Sequence, residues 1–408
     1  MRAFLHSVVI LAVAAMLAVG ARAASTAQVI YSFGGGTDGE YIDTDLVTDS
    51  AGNIYGTSVQ GGLFASGTVF ELSPSGGGWI HTVLYNFSGG NDGGEPYKGV
   101  TLDAQGNLYG TAVTGGTGAC EGGCGVVYKL TNSGGTWTPS VIHNFNGTDG
   151  SGPGSGVTFD RHGNLYGVTP TGGTNGLGVI FQMRPGTGGS WKFKVIHNFT
   201  GGSDGASGMA GRLILDKAGN LYGVATTGGA NGSGVAFELV RGQTGQFTFK
   251  TLYAFKGQPD AGFPYGGLLF DKAGNLYGTT YYDGANDLGS VYQLAPQSDG
   301  TFKERVLYSF KGTADGDGPI STLVADQAGN LYGTASEAGA ASCGCGTVFK
   351  LTHGANGKWS ESTAYSFTSV PDGAFVYNGM VVDSAGNFYG ATVHGGTGND
   401  GAIYQFTP

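Results

Sequence analysis

The sequence is poor in charged residues, and basic residues are the scarcer kind. Asp, Glu, Lys and Arg make up 12% of the 408 residues, and 29 acids stand against 19 bases, for a formal net charge of −10. A protein that holds DNA or RNA needs clustered Lys and Arg to neutralise phosphates. We therefore expect no nucleic-acid partner.

Long hydrophobic runs are absent beyond the N-terminal segment, since no later stretch reaches the roughly 18 apolar residues of a membrane span. The segment itself has Met1 and Arg2, an apolar run from Val8 to Val19, and small residues around Ala23. This pattern is typical of a secretory signal peptide. We predict a signal peptide at residues 1–23, no membrane insertion, and a mature protein that is secreted, either periplasmic or at the cell exterior.

Common catalytic and cofactor motifs are also missing. The chain has no serine nucleophile elbow, phosphate-binding loop, dinucleotide fingerprint or zinc-ligand spacing. Glycine is abundant, with 82 residues, but it has no period of three. Collagen is thereby excluded, and the clustering of glycine between apolar runs indicates many turns.

The dominant feature of the sequence is a motif, Asp-x-x-Gly-Asn-x-Tyr-Gly, that is repeated along the whole chain. Its tyrosines lie 54 to 57 residues apart, at Tyr55, Tyr109, Tyr166, Tyr222, Tyr277, Tyr332 and Tyr389. A constant spacing of this size is the signature of a repeat architecture. The seven copies therefore set the number of structural units.

Each copy contains four segments with β character and none with a helical period. In the copy at residues 265–311 these segments are 267–271, 275–281, 290–294 and 301–310. The Asp-x-x-Gly-Asn stretch suits a tight hairpin turn, because Asn and Gly tolerate positive φ. Four antiparallel strands per unit and seven units predict an all-β fold, a seven-bladed β-propeller.

The two ends of the chain predict how the ring closes. In six copies the fourth segment ends in an aromatic-x-Phe signature such as Tyr85-Asn-Phe87, and the seventh copy of it, Tyr31-Ser-Phe33, stands near the N-terminus. The last unit stops after its third segment. We predict one propeller over residues 24–408, whose last blade, 376–408, is completed by an N-terminal strand at 28–33. Closure removes exposed sheet edges, so we expect a monomer.

The repeat resembles a known family. The elements Asp-x-x-Gly-Asn-Leu-Tyr-Gly-Thr, a Gly-Gly pair, Gly-x-Val-Phe-x-Leu, and Tyr-x-Phe with a following Asp-Gly are similar to those of the GloVer tandem-repeat family of exported bacterial proteins. The resemblance covers essentially the whole mature chain. It implies export and implies no particular activity. Anchored members have a C-terminal sorting segment, which this sequence lacks.

Charge is predicted to differ between the two faces of the propeller. The loops between second and third strands and the links between blades share one face, here called the upper face, and the Asp-x-x-Gly-Asn turns lie on the lower face. Acids greatly outnumber bases in the upper segments, where the bases are Lys98, Arg212, Lys256 and Lys311. Such a field favours cations, cationic groups or neutral sugars, and it equally fits a surface that keeps an exported protein soluble.

The four cysteines fall as two close pairs, in equivalent upper loops of blades 2 and 6. Because these loops lie three blades apart, disulfides are easier within each loop, Cys120 with Cys124 and Cys343 with Cys345, than between loops. A four-cysteine zinc site would require the two loops to meet. We therefore predict two disulfides and no zinc.

One aspartate follows the outer strand in every copy. A ring of carboxylates could hold Ca²⁺, yet most of these residues precede glycine, and Asp-Gly is what a tight turn needs. We favour the structural explanation, predict no cofactor, and keep Ca²⁺ as the alternative. The seven residues are Asp38, Asp92, Asp149, Asp204, Asp260, Asp315 and Asp372.

Function is expected where the copies differ, since a feature present in every blade builds blades. Five places after this aspartate, at the entrance to the inner strand, six copies read Asp43, Tyr97, Gly154, Tyr265, Ile320 and Tyr377. Aromatic rings beside carboxylates suit neutral polysaccharides. Our candidate ligand-binding residues, from blades 7, 1 and 2, are Tyr41, Asp43, Asp45, Glu95, Tyr97, Tyr377 and His394. A second such cluster, in blade 5, comprises Phe263, Tyr265, Tyr281, Tyr282, Asp283 and Asp287.

Two functions are compatible with these residues. The first is a non-catalytic binding or scaffold module that recognises a glycan or an extracellular protein through the acidic face. The second is a polysaccharide-degrading enzyme at the upper mouth of the central channel. A hydrolase would draw two carboxylates from Asp43, Asp45 and Glu95. A lyase would use His394, Tyr377 and Lys98.

Overall fold

The structure, a computed structural model, describes residues 25–206, 211–355 and 357–408. Within them the chain forms seven antiparallel sheets, each built from consecutive strands except at the closure, which confirms the seven-bladed β-propeller. No helix in the described part is long and apolar enough to cross a membrane. The predicted signal peptide at residues 1–23 lies outside the described residues.

Blades are numbered by the order of their motif tyrosines, and their strands are given from the inner to the outer one. Blade 1 has Val47–Thr48, Ile54–Ser58, Thr68–Ser75 and Gly78–Asn86. Blade 2 has Val100–Leu102, Leu108–Ala112, Val126–Ser133 and Thr136–Asn144. Blade 3 has Val157–Phe159, Leu165–Thr169, Val179–Pro185 and Trp191–Asn198. Blade 4 has Ile214–Leu215, Leu221–Ala225, Val235–Arg241 and Phe247–Ala254.

Blades 5 to 7 continue this order. Blade 5 has Leu269–Phe270, Leu276–Asp283, Ser290–Pro296 and Phe302–Ser309, and a further strand, Ala261–Pro264, pairs with the second of these. Blade 6 has Val324–Ala325, Leu331–Ala335, Thr347–His353 and Trp359–Ser366. Blade 7 has Val381–Val382, Phe388–Thr392, Ala402–Thr407 and the N-terminal Thr26–Ser32. Two short 3₁₀ turns, Gly36–Asp38 and Thr187–Gly189, lie in connections.

The N-terminal strand closes the ring as predicted. It pairs antiparallel with the last strand of the chain, so that Val29 lies opposite Tyr404 and Ser32 opposite Ala402. The pairing continues past the strand, where the Phe33 amide donates to the Gly401 carbonyl at 3.0 Å. The strand begins at Thr26, two residues before the predicted start, because the ladder extends to Thr407.

The repeated motif builds the lower turns in the same way in every blade. In blade 1, Asp49 Oδ1 accepts hydrogen bonds from the amides of Ala51 and Asn53, and its Oδ2 accepts from Asn53 Nδ2 and the Tyr55 hydroxyl. Across the seven blades the Asn Nδ2 lies 2.7 to 2.9 Å and the Tyr hydroxyl 3.1 to 3.4 Å from the aspartate. The motif is thus a cap that satisfies its own backbone.

The hydrophobic core lies between blades. The ring of each motif tyrosine faces the next blade, as Tyr55 meets Trp137 with centroids 6.3 Å apart and Tyr109 meets Trp191 at 5.8 Å. The seam where the ring closes is built alike, with Tyr389 against Trp79 at 5.9 Å. These contacts confirm that the tyrosines pack between blades. Sequence reasoning missed their aromatic partners, which stand near the start of an outer strand for Tyr55, Tyr109 and Tyr389, whereas Tyr222 and Tyr332 meet Phe270 and Phe388 on the inner and second strands of the next blade.

Candidate functional site

The structure brings the variable position of the inner-strand entrances together around one cavity. This cavity has a volume of about 320 Å³ and is lined by Tyr41, Asp43, Tyr97, Lys98, Gly154, Tyr265, Tyr281, Ile320 and Tyr377. We call it the upper mouth. It contains all six residues of the series read from the sequence; the equivalent residue of blade 4 falls at 207–210, outside the described residues.

The links that carry these residues turn sharply before reaching the cavity. Two places before each of the six residues of the repeat series the backbone is left-handed. In four blades the residue there is not glycine but Tyr41 (φ 58°), Glu95 (φ 55°), Phe263 (φ 53°) or Phe375 (φ 58°). Such a conformation is unfavourable for L-residues and is commonest at functional sites. Backbone hydrogen bonds hold it: the Glu95 amide donates to Ser66 O at 2.9 Å, and the Val113 amide donates to Glu95 O at 3.2 Å.

Lys98 closes the floor of the upper mouth. Its ammonium donates to Asp43 Oδ1 at 2.9 Å and to Asn378 Oδ1 at 2.7 Å, and the side chain is 17% exposed. Burial by itself would lower the pKa of Lys98, but the Asp43 and Asp45 carboxylates outweigh it, so the pKa is raised. The lysine therefore stays charged and is unsuited to act as a base.

A second ion pair follows along the channel. Arg212 Nε lies 3.5 Å from Asp45 Oδ2, and the guanidinium also donates to Val100 O at 3.1 Å and to the carbonyl of Lys98. A larger cavity of about 660 Å³ is lined mostly by aliphatic side chains such as Leu213 and Met380, and its lining includes Asp45 and Arg212. Two ion pairs thus separate a polar aromatic chamber from an aliphatic one.

Blade 5 contributes the opposite wall. The ring of Tyr265 lies 5.7 Å from that of Tyr281, and Tyr281 meets Tyr282 at 4.4 Å. Sequence reasoning treated the blade 5 aromatics as a second, separate cluster. The structure joins Tyr265 and Tyr281 to the tyrosines of blades 1, 2 and 7 in one chamber, because the channel is narrow enough for opposite blades to share it. Phe263 and Tyr282 lie outside the lining of this chamber.

The remaining predicted residues lie around the chamber. His394 packs edge-on against Tyr41, with centroids 5.4 Å apart, and against Phe375 at 5.9 Å, so it supports the wall. Glu95 belongs to the turn before Tyr97, and its charge helps to raise the pKa of that tyrosine. Asp45 lies below the floor, beside Arg212.

Four phenols of the chamber, those of Tyr41, Tyr97, Tyr281 and Tyr377, are held neutral. Burial, followed by nearby phenols and carboxylates, raises the pKa of Tyr97 to about 12, and burial with Glu337 raises the pKa of Tyr281 to about 12. The pKa values of Tyr41 and Tyr377 are raised as well, again mainly by burial. Neutral phenols donate and accept hydrogen bonds but do not abstract protons at ordinary pH.

Two further carboxylates flank Tyr281 and were not singled out from the sequence. The hydroxyl of Tyr281 lies 3.5 Å from Glu337 Oε1, and the backbones of Asp317 and Glu337 pair with each other. Burial and then the Glu337 charge raise the pKa of Asp317. The only sequence signal for this pair was its place in two adjacent upper segments of blade 6.

The ring of aspartates after the outer strands has a structural role in six blades. Each carboxylate is bonded by the Tyr or His of its own outer strand at 2.6 to 3.1 Å and by a backbone amide at 2.8 to 3.0 Å. Blade 4 departs from this pattern, since the Tyr253 hydroxyl donates instead to Glu304 of blade 5 at 2.6 Å. Among the described residues no group of three or more His, Cys, Asp or Glu is placed to hold a metal ion.

Both predicted disulfides are present. Cys120 is bonded to Cys124 and Cys343 to Cys345, with Cα atoms 5.1 and 5.2 Å apart. The Cys345 carbonyl accepts from the Phe375 amide at 2.9 Å, and the Cys124 carbonyl accepts from the Gly152 amide at 2.9 Å. Each disulfide loop thereby holds the link that leads to a mouth residue of the next blade.

Solved structures with a similar fold are remote in sequence. A protein from B. thetaiotaomicron described as the extracellular domain of a hybrid two-component system is 13% identical, with a TM-score of 0.56; the match covers 94% of this chain and 42% of that one. A protein from Lactobacillus plantarum is 14% identical, with a TM-score of 0.56 and coverage of 92% and 98%. This chain therefore spans less than half of the first structure, and at such identities the likeness shows the fold alone.

Sequence comparison is more specific about the family than about the function. No curated protein matches the chain. The model of the Gloeobacter/Verrucomicrobia repeat matches residues 20–237 and 209–408, which together include every described residue. This agrees with the resemblance carried by the seven Asp-x-x-Gly-Asn-x-Tyr-Gly motifs. The chain belongs to the Gloeobacter/Verrucomicrobia repeat family.

Proposed function

We propose that this protein is an exported, non-catalytic binding propeller that recognises a neutral glycan at its upper mouth. The observation that carries the proposal is the convergence of five tyrosines, from blades 1, 2, 5 and 7, on one chamber of about 320 Å³. This volume lies at the lower end of the range of about 300 to 1,000 Å³ typical of small-molecule sites.

The chemistry of the chamber suits a sugar. Aromatic faces stack on the apolar C–H surfaces of a pyranose, and neutral phenols exchange hydrogen bonds with its hydroxyls. The charged floor, Lys98 bonded to Asp43 and Asn378, adds fixed polar groups at the closed end. A ligand entering from the upper face would thus meet rings at its sides and a polar floor at its tip.

The charge around the mouth favours a neutral ligand over an acidic one. Two of the four upper-face bases, Lys98 and Arg212, are engaged with Asp43 and Asp45 inside the channel. The other two, Lys256 and Lys311, lie outside the lining of the chamber. A uronate or phosphate would therefore meet mainly carboxylates, which repel it.

A binding role fits these groups better than the hydrolase or lyase first considered for them. Asp43 and Asp45 hold cations and are poorly placed to serve as a free acid and base. The raised pKa values of Lys98 and Tyr377 keep these groups protonated at ordinary pH, so neither is available as the base of a lyase.

Export rests on two features of the chain. The N-terminal segment has the pattern of a signal peptide, and both cysteine pairs are oxidised. Disulfides form and persist in oxidising compartments.

A polysaccharide hydrolase remains the second candidate because of Asp317. A glycosidase needs a general acid with a raised pKa beside a second carboxylate. Burial and the neighbouring Glu337 raise the pKa of Asp317, and both acids lie next to the chamber tyrosine Tyr281.

The test is binding and turnover on the same purified mature protein. A glycan array of neutral and acidic polysaccharides, followed by calorimetry, should show binding to neutral glycans, and a reducing-sugar assay should show no products. Tyr377→Ala should weaken binding by about tenfold or more, as expected for an aromatic anchor. The control, Ile80→Ala, changes an apolar side chain that is 54% exposed on an outer strand and should leave binding unchanged.

Absence of glycan binding across the array would contradict the proposal. Release of reducing ends that is lost in Asp317→Asn and in Glu337→Gln would support the hydrolase instead. Melting curves of all variants should overlap with that of the parent protein, so that a loss of binding reports on the site.

A further inference from the structure

Blade 5 differs from the other blades at its upper edge. Its second strand, Leu276–Asp283, has eight residues, whereas the second strand of each other blade has five. The link strand Ala261–Pro264 pairs with this extension, placing Ala261 opposite Asp283 and Gly262 opposite Tyr282. In each other blade the link makes a single bridge at the place of the second pair, as Glu40 does with Gln60, so the pairing in blade 5 is longer. The extension lies at the end of the strand that points to the upper face, and we call this longer paired edge the rim of blade 5.

The rim of blade 5 carries exposed aromatic surface beside the upper mouth. Tyr282 is 49% exposed, and its ring meets that of Phe263 edge-on with centroids 6.1 Å apart. On its other side it meets Tyr281, which lines the chamber, at 4.4 Å. At the position of Tyr282 the other blades have Gln60, Thr114, Thr171, Thr227, Glu337 and His394. A tyrosine therefore occurs there in blade 5 alone.

The rim is also held in an unfavourable conformation. Phe263, Asp283 and Asp287 have φ values of 53°, 63° and 61°. Five blades have glycine where blade 5 has Asp283, for which the left-handed region costs little. Asp283 is 9% exposed, and within the described residues its Oδ2 has no hydrogen-bond partner. Strain and a buried carboxylate oxygen without a hydrogen-bond partner are costs that structures tolerate mainly at functional positions.

We propose that Tyr282 and Phe263 form a second sugar-stacking subsite, and that the ligand is a linear neutral oligosaccharide running from the upper mouth past Tyr281 onto the rim of blade 5. This inference rests on the proposed function, which it deepens by naming the ligand class. A single sugar would occupy the chamber, whereas a chain would continue across Tyr281 to the exposed ring of Tyr282. Glu337, whose Oε1 lies 3.5 Å from the Tyr281 hydroxyl, is placed to accept hydrogen bonds from sugar hydroxyls along this path.

The experiment is a chain-length series measured by calorimetry on the full mature protein. The probes are gluco-, xylo-, manno- and galacto-oligosaccharides of two to six units. For the series that binds, affinity should rise with length until both subsites are filled. Tyr282→Ala should weaken binding of the six-unit chain by about threefold to tenfold, the value of one aromatic contact, and leave the two-unit chain unchanged.

Phe64→Ala is the matched control. Phe64 is 59% exposed, comparable to Tyr282, but it lies in the upper loop of blade 1. This variant should bind chains of every length as the parent protein does. Because both side chains are exposed, neither substitution should shift the melting temperature by more than a degree or two.

The possible failures are distinguishable. Affinity that is independent of chain length, or an equal effect of Tyr282→Ala on short and long chains, overturns the second subsite. If Tyr377→Ala still weakens binding by about tenfold or more in that case, the proposed function stands. Absence of binding by all four series overturns both.

Discussion

The lower turns and the upper links of this propeller are made from the same repeat, yet they have diverged to very different extents. All seven lower turns have the same Asp, Gly, Asn and Tyr, and in each the Asn side chain donates to the Asp carboxylate. The upper links end in Asp43, Tyr97, Gly154, Tyr265, Ile320 and Tyr377, and these residues line one chamber. The comparison teaches that residues shared by all blades build the fold, whereas the residues that vary between blades line the chamber that we propose binds a ligand.

The largest expected effect comes from removing the one strand whose position in the chain is not repeated. Deletion of residues 24–34 takes away the strand that pairs with Ala402–Thr407, together with the buried Phe33, and exposes the core at the seam, including Tyr404. The unfolding free energy should fall by several kcal/mol, on the order of the loss of a buried strand. Denaturant unfolding of this variant, compared with a chain that begins at residue 24, measures it. An unchanged midpoint would mean that the outer strand of blade 7 is dispensable.

A smaller effect is expected from breaking one lower turn. Asp271→Ala removes the acceptor for the Asn275 amide and side chain and for the Tyr277 hydroxyl. The unfolding free energy should fall by about 1 to 3 kcal/mol, the cost of leaving such groups unsatisfied, while glycan affinity stays the same.

The control for that turn is Lys272→Ala, which changes an exposed lysine next to Asp271 in the same turn of blade 5. It should change the unfolding free energy by no more than about 0.5 kcal/mol. Equal losses in the two variants, or a loss of binding in Asp271→Ala, would break the division between a structural lower face and a recognising upper face.

The smallest effect concerns how protein stability depends on pH through two histidines of the outer strands. Burial lowers the pKa of His197, against the opposing influence of Asp204, and the pKa of His81 is lowered by burial in the same way. A histidine whose folded pKa is depressed stays neutral when the unfolded chain takes up a proton near pH 6.5, so stability falls as the pH drops through that region.

His197→Tyr tests this, because five blades have tyrosine at the equivalent outer-strand position and bond it to Asp or Glu. The variant should lose less stability than the parent protein between pH 7.5 and pH 5.5 in thermal unfolding. His162→Tyr, at an exposed lower-turn position, is the control and should keep the parental slope. If His197→Tyr loses stability with falling pH as steeply as the parent protein does, this outer-strand histidine does not couple folding to pH.

Much of the fold could be predicted from the chain because the same local sequence signals recur in all seven units. The structure inferred for one unit therefore applies to the whole chain. The spacing of the motif tyrosines set the number of blades, and the misplaced Tyr31-Ser-Phe33 signature indicated how the ring closes. Both disulfides followed from the separation of the two cysteine loops. The longer link pairing of blade 5 could not be predicted from the sequence, since Ala261–Pro264 has no β pattern that distinguishes it from the other links.

The candidate site was predicted less completely. The mouth series was identified by its variation at one repeat position, but its partners were not: Lys98 bonds to Asp43, 55 residues away, and to Asn378, 280 residues away. The neutralisation of Asp43 and Asp45 by cations, which argues against a hydrolase that uses them, depends on these contacts. Neither contact has a signature in the order of residues.

The sequence by itself determined the unit, its number and its closure, because turn chemistry and strand alternation act between residues that are near neighbours along the chain. Only the tertiary structure decided that tyrosines from blades 1, 2, 5 and 7 share one chamber and that two ion pairs separate it from the cavity below. The reason is geometric: a closed ring brings residues more than a hundred positions apart to a common axis, where burial and charge act through space.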